Sequence, residues 1–266
     1  MKRHDKRAQD KLRPLKLTYN AFGFAPGSVL FEIGNTKLLC SVTMQNTVPP
    51  FLRGKDTGWL NAEYALLPSA TMVRTQREVS AMKRQGRAVE ISRLISRALR
   101  MAVDCTQFAD RTIVVDCDVL QADGGTRTAA ITGSYYALVM AQEVWLSQGV
   151  IQKPFLTNEI AAVSVGIIEG TPLLDLDYNE DSKSDADINI IMTRAGNVVE
   201  IQGGAEKEAI SWEDFNRIGI LAKSGIEQLF QFFENNLYIP NTTTSIENKA
   251  PLFSIQSRSK RAEISK

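Results

Sequence analysis

The stretch from Thr112 to Trp145 constrains this chain more than any other. Thr112-Ile-Val-Val-Asp-Cys-Asp-Val-Leu120 is a β-branched apolar run with polar interruptions, and it predicts a mostly buried strand. Ala129 to Trp145 is rich in Ala, Leu, Met and aromatics, contains no proline, and predicts a helix buried over much of its surface. Between them lies Gln121-Ala-Asp-Gly-Gly-Thr-Arg-Thr-Ala-Ala130. The unit is therefore strand, glycine turn, helix. Two adjacent glycines permit a tight turn and the close approach of a ligand. The unpaired N–H groups of the first helical turn can hold an anion. Arg127 adds a planar, permanently charged fork suited to phosphate oxygens.

Such a turn can also be a plain helix start, so other features must decide. The glycine run never reaches Gly-Lys-Ser or Gly-Lys-Thr, so it is not a mononucleotide P-loop. It does not match G-x-G-x-x-G either.

The chain has 266 residues, enough to bury a full core as one large domain or two smaller ones. No apolar run approaches the roughly 18 residues that span a bilayer. No apolar segment follows the basic start Met-Lys-Arg-His-Asp-Lys-Arg, so neither a signal sequence nor a membrane role is expected. Cys40, Cys105 and Cys117 show no paired spacing, and Cys40 and Cys117 sit in apolar strands as small hydrophobes. That usage points to a reducing, cytoplasmic setting.

Net charge is only +1, yet the signs are segregated. Residues 1–16 carry seven basic and two acidic side chains, residues 74–100 eight and two, and residues 175–187 one and six. Each run alone reads as solvated surface. Together they suit an enzyme that holds a polyanion at one place and a cation at another.

In chain order, residues 1–13 form a basic arm ordered, if at all, by contacts. Leu15–Phe24 is a possible strand. Gly27–Gly34 and Thr36–Met44 flank Gly34-Asn35 and predict a hairpin. Thr47–Thr57 is a loop stiffened by Pro49-Pro50, Gly58–Tyr64 a short strand ended by Leu67-Pro68, and Ser69–Gly86 a basic loop or loosely held helix. Arg87–Asp104 is the clearest amphipathic helix, with Ala88, Ile91, Ile95, Ala98 and Ala102 on one face. Ion pairs Glu90–Arg93 and Arg100–Asp104 are expected on the other. Arg87 falls in the first turn, where the helix dipole disfavours a cation, so it makes more sense serving an anion than serving the helix.

Beyond the glycine turn and its helix, Gly149 ends the helical region. Glu159–Glu169 reads as an alternating strand and Pro172–Asp177 as turn-like. Ile188–Thr193 and Asn197–Gln202 form a second hairpin around Gly196, closed by Gly203-Gly204. Ser211 caps a last helix that ends near Asn235-Asn236. Residues 238–266 are polar and basic and read as a poorly ordered tail, leaving 1–237 as the folded unit.

His4 is the only histidine, which excludes a Ser-His-Asp triad and a histidine zinc site. Acid–base or metal work falls to carboxylates, and these cluster between Asp175 and Asp187. Oxygen ligands of this kind suit Mg²⁺ or Mn²⁺. The run lacks the glycine of a Ca²⁺ loop. Asp187 opens a strand, and a strand end fixes a side chain better than a loop does.

At these residues the chain resembles the ribonuclease PH family, phosphate-dependent 3′-to-5′ exoribonucleases that trim transfer RNA precursors. The resemblance runs from about Lys11 to Phe233. It is carried by Phe51-Leu-Arg-Gly54, Gly58-Trp59, Ala62-Glu-Tyr64, Gln85-Gly-Arg87, Glu90-Ile91 and Asp116–Thr128. Asp175-Leu-Asp-Tyr178, Glu180-Asp-Ser182 and Asp187 complete it. It implies a single α/β domain of βαβα layout, like the second domain of ribosomal protein S5. It implies a phosphate site of Arg87, Gly125, Thr126 and Arg127, a catalytic pair Asp181 and Asp187, and RNA contacts at Arg74 and Arg77. Whether the two aspartates hold Mg²⁺ or Mn²⁺, or carry the proton, stays open at this level.

The resemblance further implies a hexamer assembled as a trimer of dimers. It implies inorganic phosphate as co-substrate, a nucleoside diphosphate as product, and a reversible reaction. The chain departs from the family's Leu-Pro-Arg-Ala-Thr at Leu67-Pro-Ser-Ala-Thr71, where Ser69 removes one positive charge. The rival readings are a non-catalytic RNA-binding ring subunit and a small-substrate phosphoryl-transfer enzyme. Against the first stands the complete set Arg87, Arg127, Asp181 and Asp187; the second needs a nucleotide loop that is not found.

Overall fold

The computed structural model describes residues 3–77, 82, 85–207 and 209–236. The expected tail, residues 238–266, lies outside them, as do 78–81, 83 and 84 of the basic loop.

Two sheets carry the fold. The first has the order β1-β2-β3-β5-β4, from Leu15–Tyr19 (β1), Gly27–Ile33 (β2), Thr36–Gln45 (β3), Trp59–Leu66 (β4) and Thr112–Gln121 (β5). All its pairings are antiparallel except β4 with β5. That parallel pair needs a crossover, which helix α1, Gly86–Arg100, supplies. The second sheet is antiparallel, in the order β7-β6-β8-β9, from Ile160–Ile168 (β6), Thr171–Leu174 (β7), Ala186–Thr193 (β8) and Val198–Ala205 (β9).

Helix α2, Thr126–Ser147, lies between the sheets and touches β2, β3 and β5 on one side and β6 and β8 on the other. Buried on both sides, it needs no polar stripe, hence its Ala, Leu, Met and aromatic content. After the short helix α3, Tyr178–Asp181, comes α4, Trp212–Glu234, which packs on β6, β7 and β8. The layers are sheet, helices, sheet, helix, which is the βαβα layout expected. One apolar cluster joins them, from Phe31 through Tyr136, whose ring stacks 3.5 Å from that of Phe233 on α4.

Several local expectations are corrected. The alternation in β6 has no exposed face: all nine residues are buried, because α2 covers one side and α4 the other. Pro172 lies in strand β7; at a sheet edge its missing N–H costs nothing. Gly203 and Gly204 do not close β9 but stay in it, opposite Ile188 and Asp187. The first strand stops at Tyr19. Helix α1 stops at Arg100, and Asp104 instead caps the following turn by accepting from the Thr106 N–H at 3.0 Å. Neither expected ion pair on α1 forms. Arg100 lies over Trp59 at 4.4 Å and donates to the Leu60 carbonyl, while Glu90 faces Arg127. Ser211 caps α4 as expected, accepting from the Asp214 N–H at 3.0 Å.

Candidate active site

The glycine turn is left-handed at both residues, Gly124 with φ 73° and Gly125 with φ 65°. A side chain at Gly124 would also collide with the Leu176 carbonyl, 2.4 Å from where its Cβ would stand. The turn therefore presses directly on the start of the acidic segment. Gly125 is the N-cap of α2 and no acidic residue occupies the helix's first turn, so nothing from the helix itself neutralises its positive end.

From this turn the site is assembled in one cleft of about 920 Å³. Arg87, Gly125, Thr126, Arg127, Asp181 and Asp187 all line it. Arg127 is held at 3.2 Å from Gln202 Oε1 on β9 and 3.4 Å from Glu90 Oε1 on α1, and Gln202 donates to the same Glu90 oxygen at 2.5 Å. Thr126 Oγ1 accepts from the Tyr64 hydroxyl at 3.0 Å, tying the head of α2 to β4.

Of the six carboxylates in the run, Asp185 pairs with Lys207 at 2.7 Å and the other five divide into two groups. Asp175, Asp177 and Glu180 are buried and structural. Asp177 and Glu180 form a capping box on α3, and Glu180 receives Arg3 through Nε at 2.8 Å and Nη2 at 2.5 Å. His4 Nε2 lies 3.0 Å from Asp177. Asp175 receives the Arg13 fork at 2.9 and 2.7 Å, and Arg7 at 3.3 Å. The basic arm is thus ordered by its contacts, as expected, and it consumes half the acidic run.

Asp181 and Asp187 are left facing the cleft. Burial raises the Asp181 carboxyl above its usual range, against the pull of Arg87 and Arg127. Asp187 is pushed up to about 6, by burial first and by Asp181 second. Asn189 donates weakly to Asp187 at 3.4 Å. Arg127 thus acts on both carboxyls and Arg87 on Asp181.

Among the described residues no three His, Cys, Asp or Glu side chains converge as a metal cage. Two oxygen-donor carboxylates nevertheless fit Mg²⁺, which commonly takes one or two of them together with water and substrate phosphates.

Arg74 and Arg77 are exposed and do not line the cleft; their neighbours Thr71, Met72, Val73 and Thr75 do. Sequence reasoning gave Gln202 and Arg13 no place at the site, and Tyr64 only a place in a motif, without its bond to Thr126. Arg13 carried a signal, as the final arginine of the arm, two residues before the first strand, but its partner lies 162 residues away.

Comparison with known proteins decides what this cleft belongs to. The model of the 3′ exoribonuclease family, domain 1, matches residues 11–142, and that of domain 2 matches residues 158–225. The chain belongs to the 3′ exoribonuclease family. Relatives named ribonuclease PH include one from Neisseria meningitidis serogroup B, 48% identical over 231 residues, covering 87% of this chain and 96% of the relative. Another, from Syntrophomonas wolfei, is 50% identical over 229 residues, covering 86% and 96%. Within this family the chain is a phosphorolytic 3′-to-5′ exoribonuclease that acts on RNA ends. Solved structures share the fold. An archaeal exosome core superposes with a TM-score of 0.71 at 21% identity, covering 88% of this chain and 91% of its own. The Archaeoglobus fulgidus exosome with RNA bound to the active site gives 0.74 at 22%, covering 87% and 92%. Among the described residues no helix is long and apolar enough to cross a membrane.

Proposed function

We propose that this cleft trims the 3′ end of transfer RNA precursors with inorganic phosphate as the attacking group. The observation that carries the reading is the convergence of Arg87, Gly125, Thr126, Arg127, Asp181 and Asp187 on one cavity. Phosphate sits between the two guanidinium groups and the N–H groups at the head of α2. One of its oxygens attacks the phosphorus of the last internucleotide linkage. The bond from that phosphorus to the 3′ oxygen of the preceding nucleotide breaks. A nucleoside 5′-diphosphate leaves, and the RNA, one residue shorter, regains a 3′ hydroxyl by taking a proton.

Bringing a phosphate dianion beside a phosphodiester sets like charges together, so fixed cations aimed at the reacting oxygens are the main requirement. Asp181 and Asp187 hold Mg²⁺ or Mn²⁺, or deliver the proton to the leaving oxygen. When bound, the metal supplies charge neutralisation at the phosphoryl oxygens. One phosphate linkage replaces another of similar kind, so excess nucleoside diphosphate drives extension.

Arg74 and Arg77, exposed on the loop whose neighbours form the rim, hold the body of the transfer RNA by its phosphates. The working form is a hexamer, a trimer of dimers. Phe24, Trp212 and Ile220, large apolar side chains exposed by 105%, 77% and 73%, support association. Three free cysteines suit the cytoplasm. The test is phosphorolysis of a 3′-labelled transfer RNA precursor with and without inorganic phosphate. The expected product is nucleoside diphosphate, formed only with phosphate. Phosphate-independent release of nucleoside monophosphate would refute the reading.

A further inference from the structure

We infer that Arg13 is a positioning residue for the phosphate turn, because it aims the N–H groups that receive the anion. This rests on the phosphate site proposed above. Arg13 is 4% exposed and its guanidinium lies under the glycine turn. Its Nη1 donates to the Asp123 carbonyl and its Nη2 to the Gly124 carbonyl at 3.3 Å. Thr36 Oγ1 donates to the same Gly124 carbonyl at 2.7 Å and accepts from the Asp123 N–H at 3.0 Å. Both turn carbonyls are thus drawn toward the protein body.

In a trans peptide the carbonyl and the following N–H point in opposite directions. Pulling the Asp123 and Gly124 carbonyls inward therefore turns the Gly124 and Gly125 N–H groups away from Arg13. Successive outward N–H groups make an anion-binding concavity. Among the described residues no backbone or side-chain acceptor takes the N–H of Gly124, Gly125, Thr126 or Arg127.

The other edge of the same guanidinium fixes where the turn stands. Arg13 Nε and Nη2 grip Asp175 at 2.9 and 2.7 Å, and the Arg13 N–H adds a bond to Asp175 Oδ2 at 2.8 Å. Asp175 stands in the left-handed region at φ 54°, which an aspartate tolerates better than most residues. Its own N–H donates to the Ser164 carbonyl on β6 at 2.8 Å. One buried fork thus ties the phosphate turn to the segment that leads to Asp181 and Asp187. Arg13 touches no substrate; it acts through the peptides of the turn.

The test is steady-state phosphorolysis of a short unstructured RNA with phosphate varied, and RNA affinity measured separately without phosphate. The variants are Arg13→Lys, Arg13→Ala, Thr36→Val and, as the control for the site itself, Arg127→Ala. Arg13→Lys keeps the charge and loses the fork, so the KM for phosphate should rise at least about tenfold while RNA affinity stays within about twofold. Thr36→Val, nearly isosteric, should raise it less. A kcat that falls with the phosphate KM unchanged in both Arg13→Lys and Thr36→Val would mean lost folded protein only, and overturns the inference. These two variants keep the test decisive if Arg13→Ala does not fold. A raised phosphate KM in Arg127→Ala together with a normal one in Arg13→Lys overturns the role of Arg13 alone. A normal value in Arg127→Ala overturns the phosphate site and the inference with it.

Discussion

Asp187 shows what a single side chain does in this cleft. Burial and the neighbouring Asp181 raise its carboxyl to about 6, from an ordinary 3.8. Between those two values the folded chain keeps a proton that the unfolded chain has lost. Stability of the metal-free protein therefore falls as pH rises through that window, and the loss is complete above pH 6. Each pKa unit is about 1.4 kcal/mol, so the loss is roughly 2–3 kcal/mol. Asp187→Asn should remove it. Urea midpoints at pH 4.5 and 7.5 should converge for the variant relative to the parent, and an equal pH dependence in both would refute the prediction. The same variant should lower the maximal rate at least ~10²-fold while leaving RNA affinity intact or tighter, since a like charge is gone. With Asp181→Asn added, the further loss should be much less than multiplicative, because the pair serves one step. Arg127 belongs to the other half of the site. Arg127→Ala should raise the phosphate concentration for half-maximal rate, and Arg127→Lys should restore only part of it, for want of the paired geometry.

At the scale of elements, what could be read ahead from the residues was whatever is local. The strand, the glycine turn and α2 follow from composition and from two adjacent glycines. The hairpin β2–β3 follows from Gly34-Asn35, and the cap of α4 from Ser211. Partners distant in sequence were not legible. Arg3 meets Glu180 across 177 residues and Arg127 meets Gln202 across 75, and no periodicity encodes such pairings. For the same reason the acidic run looked like one metal-binding cluster, although Asp175, Asp177 and Glu180 are engaged by the arm. Pro172 misled because an edge position, which excuses a proline, is a property of the sheet and not of the tetrapeptide. The loop bearing Arg74 and Arg77 carries its own prediction. Arg74→Ala and Arg77→Ala should weaken binding of a transfer RNA precursor more than that of a short oligonucleotide, with a shallower dependence of log affinity on log salt. Unchanged affinity and slope would remove both residues from the RNA surface.

For the whole molecule, a ring larger than a dimer is expected, and light scattering in moderate salt that gives only monomer would refute it. Deleting residues 242–266 should leave phosphate-dependent turnover on a short RNA intact, since that composition has little apolar area to offset roughly 1–2 kcal/mol of backbone entropy per residue. The arm, with its buried Arg3 and Arg13, adds a matter of timing. Arg3 and Arg13 are synthesised before their carboxylates at Glu180 and Asp175, which follow 177 and 162 residues later. At roughly 5–20 residues per second, the arm waits on the order of ten to thirty seconds for its partners. During that interval the strand, glycine turn and helix already exist as chain, but the turn has no Asp175 to be anchored against. A nascent chain therefore gains its phosphate grip late, as the second sheet emerges, and an incomplete copy released earlier should bind phosphate poorly and degrade no RNA.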